Sequence, residues 1–221
     1  MRDAPLLRGS LPVRLVALFG GLLLFGLAIV LMLESGLGLP PWDVLHQGIA
    51  RHTPLTLGVA SIAVGIVILA VAWIAGQPPG LGTVANAVVI GAAIDLLGAI
   101  DAIDRLSEAG LPARIAMLAA GVLLFGVGSA FYIGAGFGAG PRDSLMIALS
   151  RRTGRRIGLV RATMEITVLV SGVALGGVAG VGTLTLALLV GPVVELAFWI
   201  LLRLGIATAR PVPEFSPLDA A

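Results

Sequence analysis

The chain has no cysteine and no lysine, one tyrosine, two histidines and a charged fraction of only 12% in 221 residues. Without cysteine there is no disulfide, thiolate nucleophile, Fe–S cluster or Cys-based zinc site, and the redox compartment stays open. His46 and His52 are six residues apart and face different ways on a helix, so no metal site follows. Neither His-Glu-x-x-His nor Gly-x-Ser-x-Gly occurs and the acids are scattered, so the chain is read as a non-enzyme without a cofactor. All 14 basic residues are Arg, set against 12 acids for a net charge of +2. The pI of 10.4 therefore reflects guanidinium pKa values rather than excess charge, and no nucleic-acid partner is implied.

What the chain does have is apolar sequence. Hydrophobic residues make up 58%, there are 31 glycines, and the mean hydropathy is +1.07. A membrane span takes roughly 20 apolar residues, and six such runs are present, near 15–34, 56–75, 81–100, 115–134, 157–176 and 181–202. They leave no room for a soluble domain. The first run is too long for a signal-peptide core and has no small-x-small cleavage site after it, so it is read as a span. Uncharged Gly/Pro links at 76–80 and 176–180 predict tight turns.

An internal repeat with an offset of 100 residues organises the chain. GLLLFG at 21–26 matches GVLLFG at 121–126, GLGLPPWDVL at 36–45 matches GFGAGPRDSL at 136–145, and GLGTVANAVVIGAAIDL at 80–96 matches GVGTLTLALLVGPVVEL at 180–196. Without a gap, 14–100 and 114–200 share 25 identities in 87 positions, many at Gly, Pro and acidic sites rather than at interchangeable aliphatics. Three spans per copy is an odd number, so the second copy enters the membrane from the opposite face. The expected fold is an all-α membrane protein of six transmembrane helices, built as two inverted 3-helix repeats, each with a short half-helix between its first and second spans. The divisions are a cytoplasmic N-terminal tail at 1–13, a first repeat at 14–100, an extracytoplasmic connector at 101–113, a second repeat at 114–203 and a cytoplasmic C-terminal tail at 204–221.

Arginine placement agrees with both termini inside. Eleven arginines then face the cytoplasm and only Arg51, Arg105 and Arg114 face outward. The cluster Arg151, Arg152, Arg155 and Arg156 reads as a topology and lipid anchor, with an anionic-substrate vestibule as the alternative. Were 42–52 also to cross, the repeats would be parallel, but that puts Asp43 and Arg51 inside an 11-residue span.

The run Gly-x-Gly-x-x-Pro-Trp-Asp-Val-Leu-x-x-Gly at 36–48, then Thr53, Gly58 and Gly-x-Gly-Thr at 80–83, resembles the YczE/YitT-type bacterial integral membrane proteins, most closely the YczE branch, over about 14–203. The resemblance implies a bacterial inner-membrane protein of multi-helix architecture and supplies no substrate.

Two constellations carry candidate chemistry. In the first, Gly36, Gly38, Gly136 and Gly138 let the backbone leave the helix, and Pro41 and Pro141 suit a first helical turn. Trp42 and Arg142 follow, and Asp43 and Asp143 sit at the positive ends of helix dipoles. Each short helix is about 16 Å long, with Val44, Leu45 and Ile49 on one side and Asp43, Gln47 and Arg51 on the other. They are either gate-forming half-helices or interfacial helices capped by an acid. In the second constellation Thr83, Ala87, Gly91 and Asp95 recur as Thr183, Ala187, Gly191 and Glu195, four residues apart on one helix face, with Gly82 and Gly182 beside them. Small residues there allow close helix packing, and the acids are either proton or cation sites or structural groups paired to Arg14, Arg114 or a backbone donor. Glu165, unmatched in the first repeat, is either an internal ion pair with Arg161 four residues before it or an asymmetric coupling site, and Asn86 is a packing or substrate contact.

These features support a small permease that alternates access between inverted halves, with a small-molecule substrate among spans 1, 3, 4 and 6 and a proton or cation coupled to it. A non-transporting accessory or scaffold protein for a partner complex is the second reading, and a channel with two half-helices the third. The lipid bilayer is the sure partner, and the sequence leaves room for a homo-oligomer.

Overall fold

The structure is a computed structural model that describes residues 4–209 apart from 101, 102 and 104. Arg2, Arg210 and the C-terminal tail from 210 onward, with those three connector positions, lie outside the described residues. Eight α-helices are present among the described residues: α1 (Leu11–Ser35), α2 (Pro41–His52), α3 (Leu57–Ile74), α4 (Leu81–Gly98), α5 (Leu111–Gly134), α6 (Pro141–Thr153), α7 (Ile157–Ala174) and α8 (Val181–Arg203). All but α2 and α6 are long and apolar enough to cross a membrane, which matches the six expected spans to within a few residues. A short 3₁₀ turn, Arg105–Glu108, lies in the connector. The described parts of the two flanks meet each other. Leu6–Leu7 pairs antiparallel with Ala207–Thr208, and Leu7 is buried with Phe198 and Leu201 of α8.

Local chemistry sets the helix ends. Proline occupies the first turn of α1, α2, α5 and α6, where its missing N–H would be unpaired anyway. Thr56 accepts the Val59 N–H and caps α3, whereas Arg156 at the same point of α7 offers no cap. Gly76 and Gly176 take φ of 94° and 78° in the links after α3 and α7, so the expected tight turns are present.

Lipid tails are as apolar as leucine, so close packing rather than water exclusion holds spans together. The centre of the molecule is the pair α1 and α5. Arg14, early in α1, donates from Nε and Nη2 to the Ala135 carbonyl just beyond α5, at 2.9 and 2.7 Å. Arg114, early in α5, donates to the Ser35 carbonyl at the end of α1 at 2.5 Å. The two helices therefore run antiparallel, each arginine closing the other's carbonyl end. Neither arginine meets Asp95 or Glu195, the acids proposed for it from the sequence. A Cβ on Gly21 would stand 2.7 Å from the Gly128 carbonyl oxygen, so the backbones touch there, and Phe25 and Phe125 stack with ring centroids 4.0 Å apart.

Two further pairs cross between the halves, whereas α4 packs on α1 and α3 and α8 packs on α5 within their own halves. α2 packs on α7, and α6 packs on α3. Gly48 faces Gly172 where α2 meets α7. Arg51 on α2 donates to the Gly176 carbonyl after α7, and Arg152 on α6 donates to the Ile74 carbonyl at the end of α3 at 2.9 Å. Arg152 is thus a helix cap as well as part of the basic cluster, while Arg151, Arg155 and Arg156 are exposed. The Gly-rich loops exchange in the same way. Gly182 donates to the Leu37 carbonyl and Gly82 to the Phe137 carbonyl, while Thr183 accepts from Gly180 and donates to the Leu39 carbonyl. Gly38 and Gly138, at φ of 119° and 122°, sit against those threonines.

The short helices are not amphipathic towards solvent. Trp42, Asp43, Val44, His46 and Gly48 are all buried, because α3 and α7 cover α2 from two sides. The expected polar face bearing Asp43 is therefore an interior face. The small-residue stripes also differ from expectation. Ala87 and Gly91 on α4 are buried against α3 and Thr83 is buried against the loop at Gly138, but Ala187 and Gly191 on α8 are exposed and Gly191 has nothing within 4 Å of its would-be Cβ.

Candidate functional site

A cavity of about 670 Å³ lies where the first turns of α2 and α6 meet. Pro41, Trp42 and His46 enter it from α2, and Pro141, Arg142 and Asp143 from α6. Ser61 and Gly65 of α3, Asn86 and Ile90 of α4, Ser129 and Tyr132 of α5, and Arg161 and Glu165 of α7 form its polar and small-residue wall. α8 supplies an apolar wall of Val190, Val194 and Phe198, interrupted by Glu195. Span 1 contributes Phe25, and spans 2 and 5 line the space as well as the expected spans 3, 4 and 6. The chamber has a volume suited to a small molecule.

Three groups join the short helices. Asp43 is fully buried, and its Oδ1 is 3.1 Å from His46 Nδ1, three residues on along the same face. The same oxygen is 3.8 Å from Arg142 Nη2, and the Arg142 guanidinium stands 5.1 Å from the centre of the Trp42 ring. Asp43 Oδ2 has no hydrogen-bond partner among the described residues. Burial is the largest influence on Asp43 and favours the neutral acid, but the His46 hydrogen bond and the Arg142 charge together outweigh it and hold the carboxyl below its ordinary range. Burial pushes His46 down, towards the neutral ring, despite Asp43. With Nδ1–H directed to the carboxylate, Nε2 of the neutral ring is left as a proton acceptor. Asp143 is pushed up by burial, with Arg161 and Arg142 opposing.

The acids proposed from the sequence separate into two groups. Asp43 lies just behind the cavity wall, Asp143, Glu165 and Glu195 line the cavity, and so does Asn86. Glu165 is paired with Arg161 at 3.0 Å, as the four-residue spacing suggests. Asp95 is elsewhere. It accepts the Thr56 hydroxyl at 2.5 Å and the Gly58 N–H at 2.8 Å, closing the start of α3 in the α3–α4 seam. Glu195 makes no hydrogen bond or ion pair among the described residues. His46, Tyr132 and the cavity-facing role of Arg161 were not singled out from the sequence. The i, i+3 spacing of Asp43 and His46 was the available signal, and Tyr132, lying inside an apolar span, gave none.

The family of unknown function DUF6198 matches residues 12–198. The chain belongs to this family. The uncharacterized membrane protein YczE of Bacillus subtilis (strain 168) is 35% identical over 192 residues, covering 84% of this chain and 85% of that protein. An uncharacterized protein of Haemophilus influenzae is 37% identical over 188 residues, covering 83% and 84%. YyaS of Bacillus subtilis (strain 168) is 29% identical over 187 residues, covering 80% and 92%. No solved structure matches the chain. The YczE-type resemblance carried by residues 36–48 and 80–83 thus extends along the DUF6198 match, and this DUF6198 chain is a multi-pass membrane protein with six apolar helices.

Proposed function

We propose that this DUF6198 protein is a small permease of the bacterial inner membrane that alternates access between two inverted three-span halves, with both termini on the cytoplasmic side. The observation that carries the reading is the cavity, which both halves line and into which the first turns of both short helices project. Inversion is supported by the antiparallel α1–α5 pair and by the reciprocal bonds of Arg14 and Arg114. The pairing of Leu6–Leu7 with Ala207–Thr208 supports termini on one side, and the arginine count supports the inside. Burial of α2 on both faces favours a re-entrant half-helix over an interfacial one.

In this reading the substrate is a small polar molecule held between Arg142 and the acids of the opposite wall, and the coupling ion is a proton. His46 Nε2 takes the proton, Asp43 stabilises the imidazolium that forms, and Arg142 senses the change in charge. The carboxylates form a second route through Asp143, Glu165 and Glu195, while Asp95 serves the α3 terminus. The test is proteoliposomes with an entrapped pH dye, challenged with panels of amino acids, amines and small carboxylates. Solute-dependent proton movement is expected, and His46→Gln and Arg142→Gln should each abolish it. If no solute moves protons and the protein instead purifies in fixed ratio with another membrane protein, the accessory reading replaces the permease.

A further inference from the structure

The two halves treat one seam differently. In the first half α3 lies on α4 so closely that a Cβ on Gly58 would run into the Gly91 carbonyl, and one on Gly91 would stand 2.5 Å from the Gly58 carbonyl oxygen. Asp95 ties the seam by accepting the Thr56 hydroxyl and the Gly58 N–H. In the second half the matching glycines, Gly158 and Gly191, have nothing within 4 Å of their would-be Cβ atoms. α7 packs on α2 and α6 instead of α8, and the cavity opens between α7 and α8, past Arg161 on one side and Ala187, Gly191 and Glu195 on the other.

A glycine inside a helix costs roughly 1 kcal/mol relative to alanine. Contact explains that cost at Gly58 and Gly91. Nothing in the present conformation explains it at Gly158 and Gly191, nor a partnerless acid at Glu195 on an apolar helix. Pro192 follows Gly191 inside α8, removing the backbone hydrogen bond to the turn before it, where α4 has Ala92. A Gly-Pro pair is a common site of helix bending.

We infer that the structure is one of two conformations, and that in the other α7 docks on α8 as α3 docks on α4 and shuts the cavity. Gly158 then meets Gly191, and Glu195 accepts the Gly158 N–H, with Arg156 beside it where the first half has Thr56. α8 bends at Gly191–Pro192 to make the contact. Glu165 stands where the first half has Gly65, whose would-be Cβ is 3.2 Å from the Ala87 Cβ, so its side chain runs past Ala187 into the cavity and the seam closes slightly wider than its counterpart. The purpose of the closure rests on the permease reading, but the closure itself can be measured without transport.

The natural absence of cysteine makes paired cysteines a clean probe. Glu165→Cys with Ala187→Cys tests the α7–α8 seam in proteoliposomes under copper phenanthroline. Gly65→Cys with Ala87→Cys is the closed reference, and the exposed pair Ile166→Cys with Leu188→Cys is the background. The reference pair should oxidise fully and the 165–187 pair well above background. Adding Gly191→Leu, which has room in the open form but overpacks the closed one, should slow the 165–187 disulfide at least about tenfold. Oxidation at background level, or oxidation indifferent to Gly191→Leu, overturns the inference. A Gly191→Leu-sensitive disulfide, with a wild-type protein that moves no solute, sustains the closure and removes the permease, whereas wild-type solute movement without the disulfide removes the closure alone.

Discussion

Asp95 and Glu195 occupy matching positions 100 residues apart, yet the structure assigns them opposite energetic roles. Asp95→Ala strands the Thr56 hydroxyl and the Gly58 N–H at the start of α3. Interhelical hydrogen bonds in bilayers average about 0.6 kcal/mol and reach about 1.7 kcal/mol. Bonds to a carboxylate sit at the upper end of such ranges, so losing both costs about 2–3 kcal/mol. For a chain of this size each kcal/mol lowers Tm by about 2–4 °C, which predicts a fall of about 4–12 °C. Glu195→Ala removes no hydrogen bond or ion pair and should leave Tm within about 2 °C. Thermal unfolding of the detergent-solubilised protein, followed by tryptophan fluorescence and far-UV circular dichroism, measures both variants under one condition. An equal loss in the two variants would refute the asymmetry of the seams, and with it the placement of Asp95 as a cap rather than an ion site. Thr56→Val keeps Asp95 but deletes one donor and the cap on the Val59 N–H, so it should lower Tm by about as much as Asp95→Ala.

Other expectations follow from the same geometry. Gly58→Ala should destabilise by about 1–3 kcal/mol through overpacking against Gly91, while Gly158→Ala should be neutral or stabilising by up to about 1 kcal/mol, both read from Tm. Acid sensitivity isolates His46. Its pKa is lowered on folding, so its contribution is fully present above the ordinary value of 6.5 and is lost as pH falls below it, by up to about 1.4 kcal/mol per pH unit. Asp43, also lowered, adds loss only below 3.8, and Asp143, which is raised, acts with the opposite sign as pH rises above 3.8 and does so equally in both proteins. The difference between wild type and His46→Gln should therefore carry the His46 slope below pH 6.5, and parallel stability curves would count against a neutral buried ring. For topology, reporter fusions or thiol accessibility should place Arg51 outside and Arg151 inside, and the same side for both would defeat the inverted arrangement.

The membrane architecture was legible because spans and repeats are written in long, redundant signals. Six apolar runs and a gapless 100-residue offset survive any single substitution. The site was only partly legible. Asp43, Asp143, Trp42 and Arg142 were found because Gly-x-Gly-x-x-Pro-x-Asp marks where a chain leaves one helix and starts another. What the repeat could not convey is packing, which depends on the partner helix. Asp95 and Glu195 look equivalent in one dimension, but Thr56 faces one of them and Arg156 stands at the matching position for the other. In the stripe ending in Glu195, Thr183 packs as expected, whereas Ala187 and Gly191 do not. The spacing put Asp43, Gln47 and Arg51 on one face of α2, but it carried no sign that α7 and the link after it, from the other half, cover that face.

That difference between the halves bears on function more than the duplication does. At the positions facing the cavity, Ser61 and Gly65 in the first half are replaced by Arg161 and Glu165 in the second. Short side chains let α3 close on α4. A long ion pair at the matching turn of α7 holds charge in the chamber and keeps the second seam from sealing as tightly. Two identical seams would give a site with no preferred opening. With one tight seam and one charged, glycine-hinged seam, the permease proposed above would have conformations of unequal energy on its two sides, and a ligand that engages Arg161 or Glu165 would alter only the second. Replacing Arg161 and Glu165 together by Ser and Gly should therefore shift the 165–187 seam towards the closed state, and exposed positions 166 and 188, labelled in pairs for distance measurement, would then report a shorter separation than with Arg161 and Glu165 in place. No shortening would mean that the charges are not what holds the seam open.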